Sequence, residues 1–187
     1  TAREHIFRRA YDNLNDATLH STTYYGFGEE CATAIEALNI LVEEKFIANA
    51  KSIGFMFDEG LSALRGKYPN IISEVRGSGA LWGILLNTNI STKIMSIVAK
   101  LIPVDILNDK NFMSKLVTAT VISELYNKHN ILSFYGSNIE IPLIISLPLV
   151  ATEKEVRYTL QAIDSTLSKG IFELVISFVK VKFSSKK

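Results

Sequence analysis

Cysteine is almost absent: Cys31 is the only one in 187 residues. No internal disulfide framework can form, and a reducing compartment, the cytoplasm, is the expected setting. Cys31 falls within a helical run, where a small buried side chain is expected rather than a nucleophile. Net charge is scarce too, with 20 basic against 19 acidic side chains, which leaves no electrostatic footprint for nucleic acid. The one local bias, Lys180, Lys182, Lys186 and Lys187, reads as a solubilising tail. No apolar run is long enough to span a bilayer, because Glu140, Pro142 and Pro148 interrupt the stretch from Ile139 to Val150. His5, His20 and His129 are too scattered for a metal site, and Cys31 has no histidine near it in sequence. A Ser-His-Asp arrangement, a P-loop and a dinucleotide fingerprint are all missing; Gly77-Ser78-Gly79 lacks the rest of GxGxxG. No signal peptide is visible. The chain opens on Thr1 without an initiator methionine, so it is expected to be part of a longer polypeptide.

What is present is ordinary globular composition, 48% hydrophobic and 21% charged, in a chain long enough to bury a sizeable core. Ile6, Phe7, Ala10, Tyr11 and Leu14 recur at helical spacing from Arg3, and Asn13-Leu14-Asn15-Asp16 stops that helix. Ala34, Leu38, Leu41 and Val42 form a stripe typical of a helix packed on a core. A second helical pattern runs from Phe46 to Arg65 through Ala50, Ile53, Phe57, Leu61 and Leu64, and Gly66-Lys67-Tyr68-Pro69 ends it. Strands are expected over 71–76 and 80–87, joined at Gly77-Ser78-Gly79. A helix-like Lys93–Leu101 follows. A clearer helix starts at Asn108-Asp109 and runs to Lys128, with Phe112, Leu116, Ala119, Ile122 and Leu125 on one face. Strands are expected over 131–135 and 140–145, around Gly136-Ser137-Asn138. Thr152 with Glu155 has capping-box spacing before a helix whose core face is Val156, Leu160, Ile163 and Leu167. The segment from Ile171 to Phe183 is read as a last helix.

Chemistry concentrates in His20-Ser21-Thr22-Thr23-Tyr24-Tyr25-Gly26-Phe27-Gly28-Glu29-Glu30, which leads into Cys31-Ala32-Thr33-Ala34. Hydroxyls, glycine-permitted amides and a helix N-terminus in that order suit an anion such as a phosphate. The same order also makes a simple capped helix start.

The stretch resembles the His-x-Ser/Thr-Thr-Phe/Tyr-x-Gly segment of class III (fold-type I) pyridoxal-phosphate aminotransferases. The run from Tyr68 through Val75-Arg76-Gly77-Ser78-Gly79-Ala80-Leu81-Trp82-Gly83-Ile84 is similar to that family's VRGxGLMxGI hairpin. Leu147-Pro148-Leu149-Val150 with Thr152-Glu153-Lys154-Glu155-Val156 is similar to its PPLVITxEEI segment. The three occur in the family's order and span Arg3 to Lys169.

The resemblance implies an α/β chain, the C-terminal portion of a fold-type I enzyme. Residues 1–45 would be a large-domain border with the phosphate loop and a long helix. Residues 46–169 would be an α+β small domain, a mostly antiparallel sheet covered by helices, and 170–187 an extension. It implies pyridoxal 5'-phosphate as cofactor of the intact protein, with Thr23 on the phosphate across a homodimer and Thr22 and Tyr24 beside it. It implies a small-molecule amine substrate and transfer of its amino group to a carbonyl acceptor. The Schiff-base lysine and the aspartate on the pyridine nitrogen would precede this segment. No lysine lies between Thr1 and Thr23, so this chain supplies no catalytic residue and is expected to be inactive alone. Two positions depart from the family: Gly26-Phe27-Gly28 replaces Gly-Asn-Pro, and Ile144 replaces an arginine that clamps a substrate carboxylate. An aminomutase, a racemase, a decarboxylase, or a non-catalytic dimerisation or docking module stays open.

Overall fold

The computed structural model describes residues 3–11, 28–88, 109–136 and 139–184. Expectations for 12–27, among them the phosphate loop, and for the helix-like 93–101 lie outside the described residues. The chain divides into two compact units, Thr1–Glu44 and Lys45–Lys187, each described by itself.

The first unit contains α1 (Glu4–Tyr11) and α2 (Gly28–Glu43). One turn of α1 is tied by Arg8, whose Nη2 donates to Glu4 Oε1 at 2.7 Å. Glu29 and Glu30 occupy the first turn of α2, where the helix dipole favours negative charge. Two expectations fail here. Cys31 is exposed rather than buried, and no residue of α2 is buried. Leu38 and Val42 are more than three-fifths exposed. The apolar stripe exists on α2, with Leu41 half-buried and Leu38 and Val42 exposed.

The second unit opens with α3 (Phe46–Lys67). Ile53, Phe57, Leu61 and Leu64 recur at helical spacing and are all buried. The strands β1 (Ile72–Ser78) and β2 (Leu81–Leu86) follow. Expected at Gly77-Ser78-Gly79, the turn instead lies one step later. Gly77 pairs with Trp82 and Ser78 with Leu81, which leaves Gly79 and Ala80 as a two-residue loop. Gly79 has φ +57, the glycine-first pattern that matches strand twist in a tight hairpin. Near the other end, Ile72 pairs with Leu86 but Glu74 with Leu85, so Ser73 is an extra residue. Its hydroxyl donates to the Leu85 carbonyl at 3.0 Å, satisfying an acceptor at the bulge.

Next come α4 (Phe112–His129), β3 (Phe134–Tyr135), β4 (Leu143–Ser146), α5 (Glu153–Leu167) and α6 (Ile171–Ser184). The sheet order is β1-β2-β4-β3, with every pair antiparallel. Ile72, Trp82, Ile84, Leu143 and Ile145 face one core, shared with α3, α4 and α5. On α4 the buried set is broader than the expected stripe. Val117 and Val121 are fully buried, whereas Ala119 and Ile122 are half-buried. This helix is packed on two sides, with Val117, Val121 and Leu125 in the sheet core and Phe112 and Leu116 in a second cluster with Val175 and Val179 of α6. The capping box forms: Glu155 Oε2 accepts from the Thr152 amide at 2.9 Å, and Thr152 Oγ1 accepts from the Lys154 amide at 3.3 Å. Lys67 and Tyr68, where α3 ends, both donate to Asp164 on α5 at 2.7 Å. Hydrogen bonds and the lysine's charge hold that carboxyl below its ordinary range, the Lys67 bond being the larger cause.

Candidate functional site

Of the residues singled out for chemistry, Thr22, Thr23, Tyr24, His20 and Phe27 lie outside the described residues. Ile144 does not. Alternation along β4 buries Leu143 and Ile145 and leaves Ile144 half-buried on the opposite, open face of the sheet. That face holds a shallow cleft of about 450 Å³, with Arg76, Leu81, Gly83, Pro142 and Ile144 in its lining.

Two glycine contacts fix the hairpin that forms this face. A Cβ at Gly54 of α3 would lie 2.7 Å from Gly79 Cα and 2.8 Å from Gly79 N, so the helix meets the turn backbone to backbone. A Cβ at Gly77 would lie 2.6 Å from Trp82 Cδ2. Only glycine permits either approach. The Trp82 indole N–H donates to the Gly79 carbonyl at 2.9 Å, and its ring stacks on Phe57 with centroids 6.4 Å apart. The hairpin tip is thereby held to α3 by packing, and the indole hydrogen bond ties the turn to β2 within the hairpin. A second cleft, about 520 Å³, runs between α3 and the tip, with Lys51, Gly54, Asp58 and Ser78 in its lining.

Charge on the open face is arranged around Arg76. Its guanidinium pairs with Glu140 through Nη2 and lies 3.7 Å from Glu74 through Nη1. Chiefly through the hydrogen bond to Glu140, Arg76 is made still harder to deprotonate than an ordinary arginine. Residue-by-residue reading missed this pair. The only sequence signal was Glu140 interrupting an apolar run, and the partner lies 64 residues away. Among the described residues, no three His, Cys, Asp or Glu side chains are grouped to hold a metal ion. No helix there is long and apolar enough to cross a membrane.

The family model for class III aminotransferases matches residues 2–134. Solved structures share the fold. A transaminase from the marine bacterium Virgibacillus aligns over 86% of this chain and 33% of its own, at 18% identity and a TM-score of 0.58. An amine transaminase from an uncultivated Pseudomonas species, solved with pyridoxal phosphate bound, aligns over 84% of this chain and 31% of its own, at 22% identity and a TM-score of 0.57. The acetylornithine aminotransferase of Elizabethkingia anophelis aligns over 80% and 32%, at 22% identity and a TM-score of 0.53. This chain therefore spans about a third of the length of the structures it matches.

Enzymes of this family depend on pyridoxal phosphate, which calls for an anion cradle, a lysine whose pKa is depressed and a carboxylate for the ring nitrogen. Lys67 and Lys115 are pushed up, each chiefly by a hydrogen bond to a carboxylate, Asp164 and Asp109 respectively. That is the reverse of what a Schiff-base lysine needs. What the described residues provide is a helix-backed antiparallel sheet with one open face. By the family match over most of its length, and with the fold in agreement, the chain belongs to the class III aminotransferases.

Proposed function

We propose that this chain is the C-terminal part of a pyridoxal-phosphate-dependent aminotransferase that moves an amino group from an amine or amino acid donor to a carbonyl acceptor. The observation that carries the reading is the family match over 2–134, which runs through the phosphate-loop stretch and the hairpin clamped on α3. When bound, the cofactor supplies the electron sink. In this reading residues 1–45 border the large domain, residues 46–169 are the small domain, and 170–187 extend it. The hydroxyl and amide of Thr23 contact the cofactor phosphate, with Thr22 and Tyr24 beside them, from across a homodimer. Family members are generally homodimeric, and a single cysteine suits a cytoplasmic enzyme. The open sheet face around Ile144 forms a wall of the substrate pocket. Its apolar side chains exclude water, and the clamp at Gly54 and Gly79 fixes where that wall stands.

The test uses the full-length polypeptide. Pyridoxal phosphate is added, the absorbance spectrum is recorded, and borohydride reduction is followed by mapping of the labelled peptide. A labelled lysine upstream of Thr1 is expected. No cofactor band and no labelled lysine would leave a non-catalytic docking module as the better reading. Thr23→Ala in the same protein is expected to weaken cofactor retention while leaving the melting temperature close to wild type. Equal cofactor affinity in mutant and wild type would remove Thr23 from the site.

A further inference from the structure

Strand pairing sets four residues in one row across the sheet: Arg76 pairs with Gly83, Gly83 with Ile144, and Ile144 with Phe134. Residues directly paired across strands share a face, so the row stands on the open side with Ile144. Two strand spacings separate Arg76 from Ile144, about 10 Å between backbones. Gly83 leaves the middle of the row bare. A Cβ there would lie 3.9 Å from Arg76 Cγ and 3.5 Å from Pro142 Cβ, so the arginine stem and the proline ring close over the gap. The guanidinium reaches the β4 side of the sheet, where it meets Glu140, while Glu74 flanks its other nitrogen.

The charge count follows directly. Glu74, Arg76 and Glu140 together carry one net negative charge, with Arg76 Nη2 hydrogen-bonded to Glu140 and Nη1 3.7 Å from Glu74. The rest of the lining adds no cation: it is apolar at Leu81, Pro142 and Ile144, and the Ser78 hydroxyl is its added polar group. A substrate carboxylate entering here would lose hydration, meet a guanidinium already paired with carboxylates of the chain and face a net like charge. An alkyl or aryl group would meet surface of its own kind.

Resting on the aminotransferase reading above, we propose that this cleft receives an uncharged apolar substituent of the amine donor and rejects a carboxylate. Glu74 and Glu140 set that specificity by occupying Arg76. The substrate class is thus amines without a carboxylate next to the reacting carbon.

The experiment compares two near-isosteric donors, sec-butylamine and 2-aminobutanoate, which differ by methyl against carboxylate. The half-reaction with cofactor-loaded full-length protein is followed by absorbance at low donor concentration. Wild type is expected to prefer the amine. E140Q frees Arg76 and is expected to shift the ratio toward the amino acid by roughly five- to tenfold, the scale of one unit charge a few ångströms away in a wet site. E74Q is expected to shift it the same way by less, since its contact is longer. Both pairs are about half exposed, so both variants are expected to melt with wild type. Preference for 2-aminobutanoate in wild type, or an unchanged ratio in E140Q, would overturn the inference alone. Reaction with neither donor would overturn the transaminase reading and this inference with it.

Discussion

Gly54→Ala tests the clamp between α3 and the hairpin. In an open helix interior, alanine for glycine stabilises by about 1 kcal/mol. At Gly54 the added methyl meets Gly79 Cα at 2.7 Å, N at 2.8 Å and O at 3.0 Å. All three are backbone atoms of a tight turn, so no rotamer change relieves the contact and the helix must lift. Overpacking of this kind costs about 1–3 kcal/mol. With three backbone atoms in the way, the cost falls in the upper part of that range, about 2–3 kcal/mol, and the net loss is roughly 1–2 kcal/mol. Two other glycines on the same helix serve as controls. A Cβ at Gly60 would meet only the Leu160 side chain, at 2.3 Å from Cδ1, and that side chain can turn away. At Gly66 there is nothing within 4 Å, so alanine is expected to stabilise. Urea unfolding followed by Trp82, the single tryptophan, reads all three variants at the clamp itself. With a slope of about 1–3 kcal/mol per molar, the Gly54→Ala midpoint should fall by roughly 0.5–1 M, Gly60→Ala should stay near wild type, and Gly66→Ala should rise. A Gly54→Ala midpoint equal to or above wild type would refute the reasoning, because the helix and turn would then not be in backbone contact.

Two other perturbations are read by the same unfolding assay. Asp164 has a depressed folded pKa, caused first by the Lys67 hydrogen bond and then by Tyr68. Its stabilisation is present above the unfolded aspartate value, about 3.9, and is lost as pH falls below that value through the folded one. Lys67 and Tyr68 are both raised, chiefly by hydrogen bonds to Asp164, so their share is present below their unfolded values and lost as pH rises through the folded ones. Asp164→Asn should flatten both limbs of a midpoint-against-pH curve, and an unchanged curve would show that the trio is not coupled to folding. Thr152→Ala removes the side-chain half of the capping box while the backbone amide at 152 can still donate to Glu155, and it should lower stability by about 1 kcal/mol. An effect below a few tenths would mean that water replaces the cap.

The elements legible in the sequence were those whose signal is local. The α3 stripe, the Thr152 box and the segment from Ile171 onward each announce themselves within a few turns of chain, and each forms. Where the structure differs, the cause is a neighbour that local periodicity does not contain. On α4, Val117 and Val121 outrank Ala119 and Ile122 because a second helix, α6, packs on another side. The hairpin turn moved from Gly77 to Gly79-Ala80 because Gly77 is needed for space against Trp82 rather than for turn geometry. Cys31 and Leu38 follow a core pattern, yet both are exposed, because spacing sets which face of a helix is apolar and not whether that face is covered. The site divides in the same way. Ile144 was legible by resemblance, whereas the Arg76–Glu140 pair required two strand registers to be known.

Those registers make the cleft a specific claim about parity. Side chains alternate along a strand, so slipping β2 by one residue would put Trp82 on the open row and Gly83 in the core. Two independent features exclude the slip. Trp82 is 5% exposed and stacked on Phe57, and Leu143 and Ile145 on the neighbouring strand are 1% and 3% exposed. The tryptophan thus locks β2, and through β2 it locks which residues of β1 and β4 stand on the open face. Adjacent positions on β4 then answer to different physics. A change at Ile145 alters the core and is read as stability. A change at Ile144 alters the wall of the cleft and, on the aminotransferase reading proposed above, is expected to show as substrate preference. The same parity sets Gly83 between Arg76 and Ile144, where the absence of a side chain leaves room for the arginine stem to cross toward Glu140.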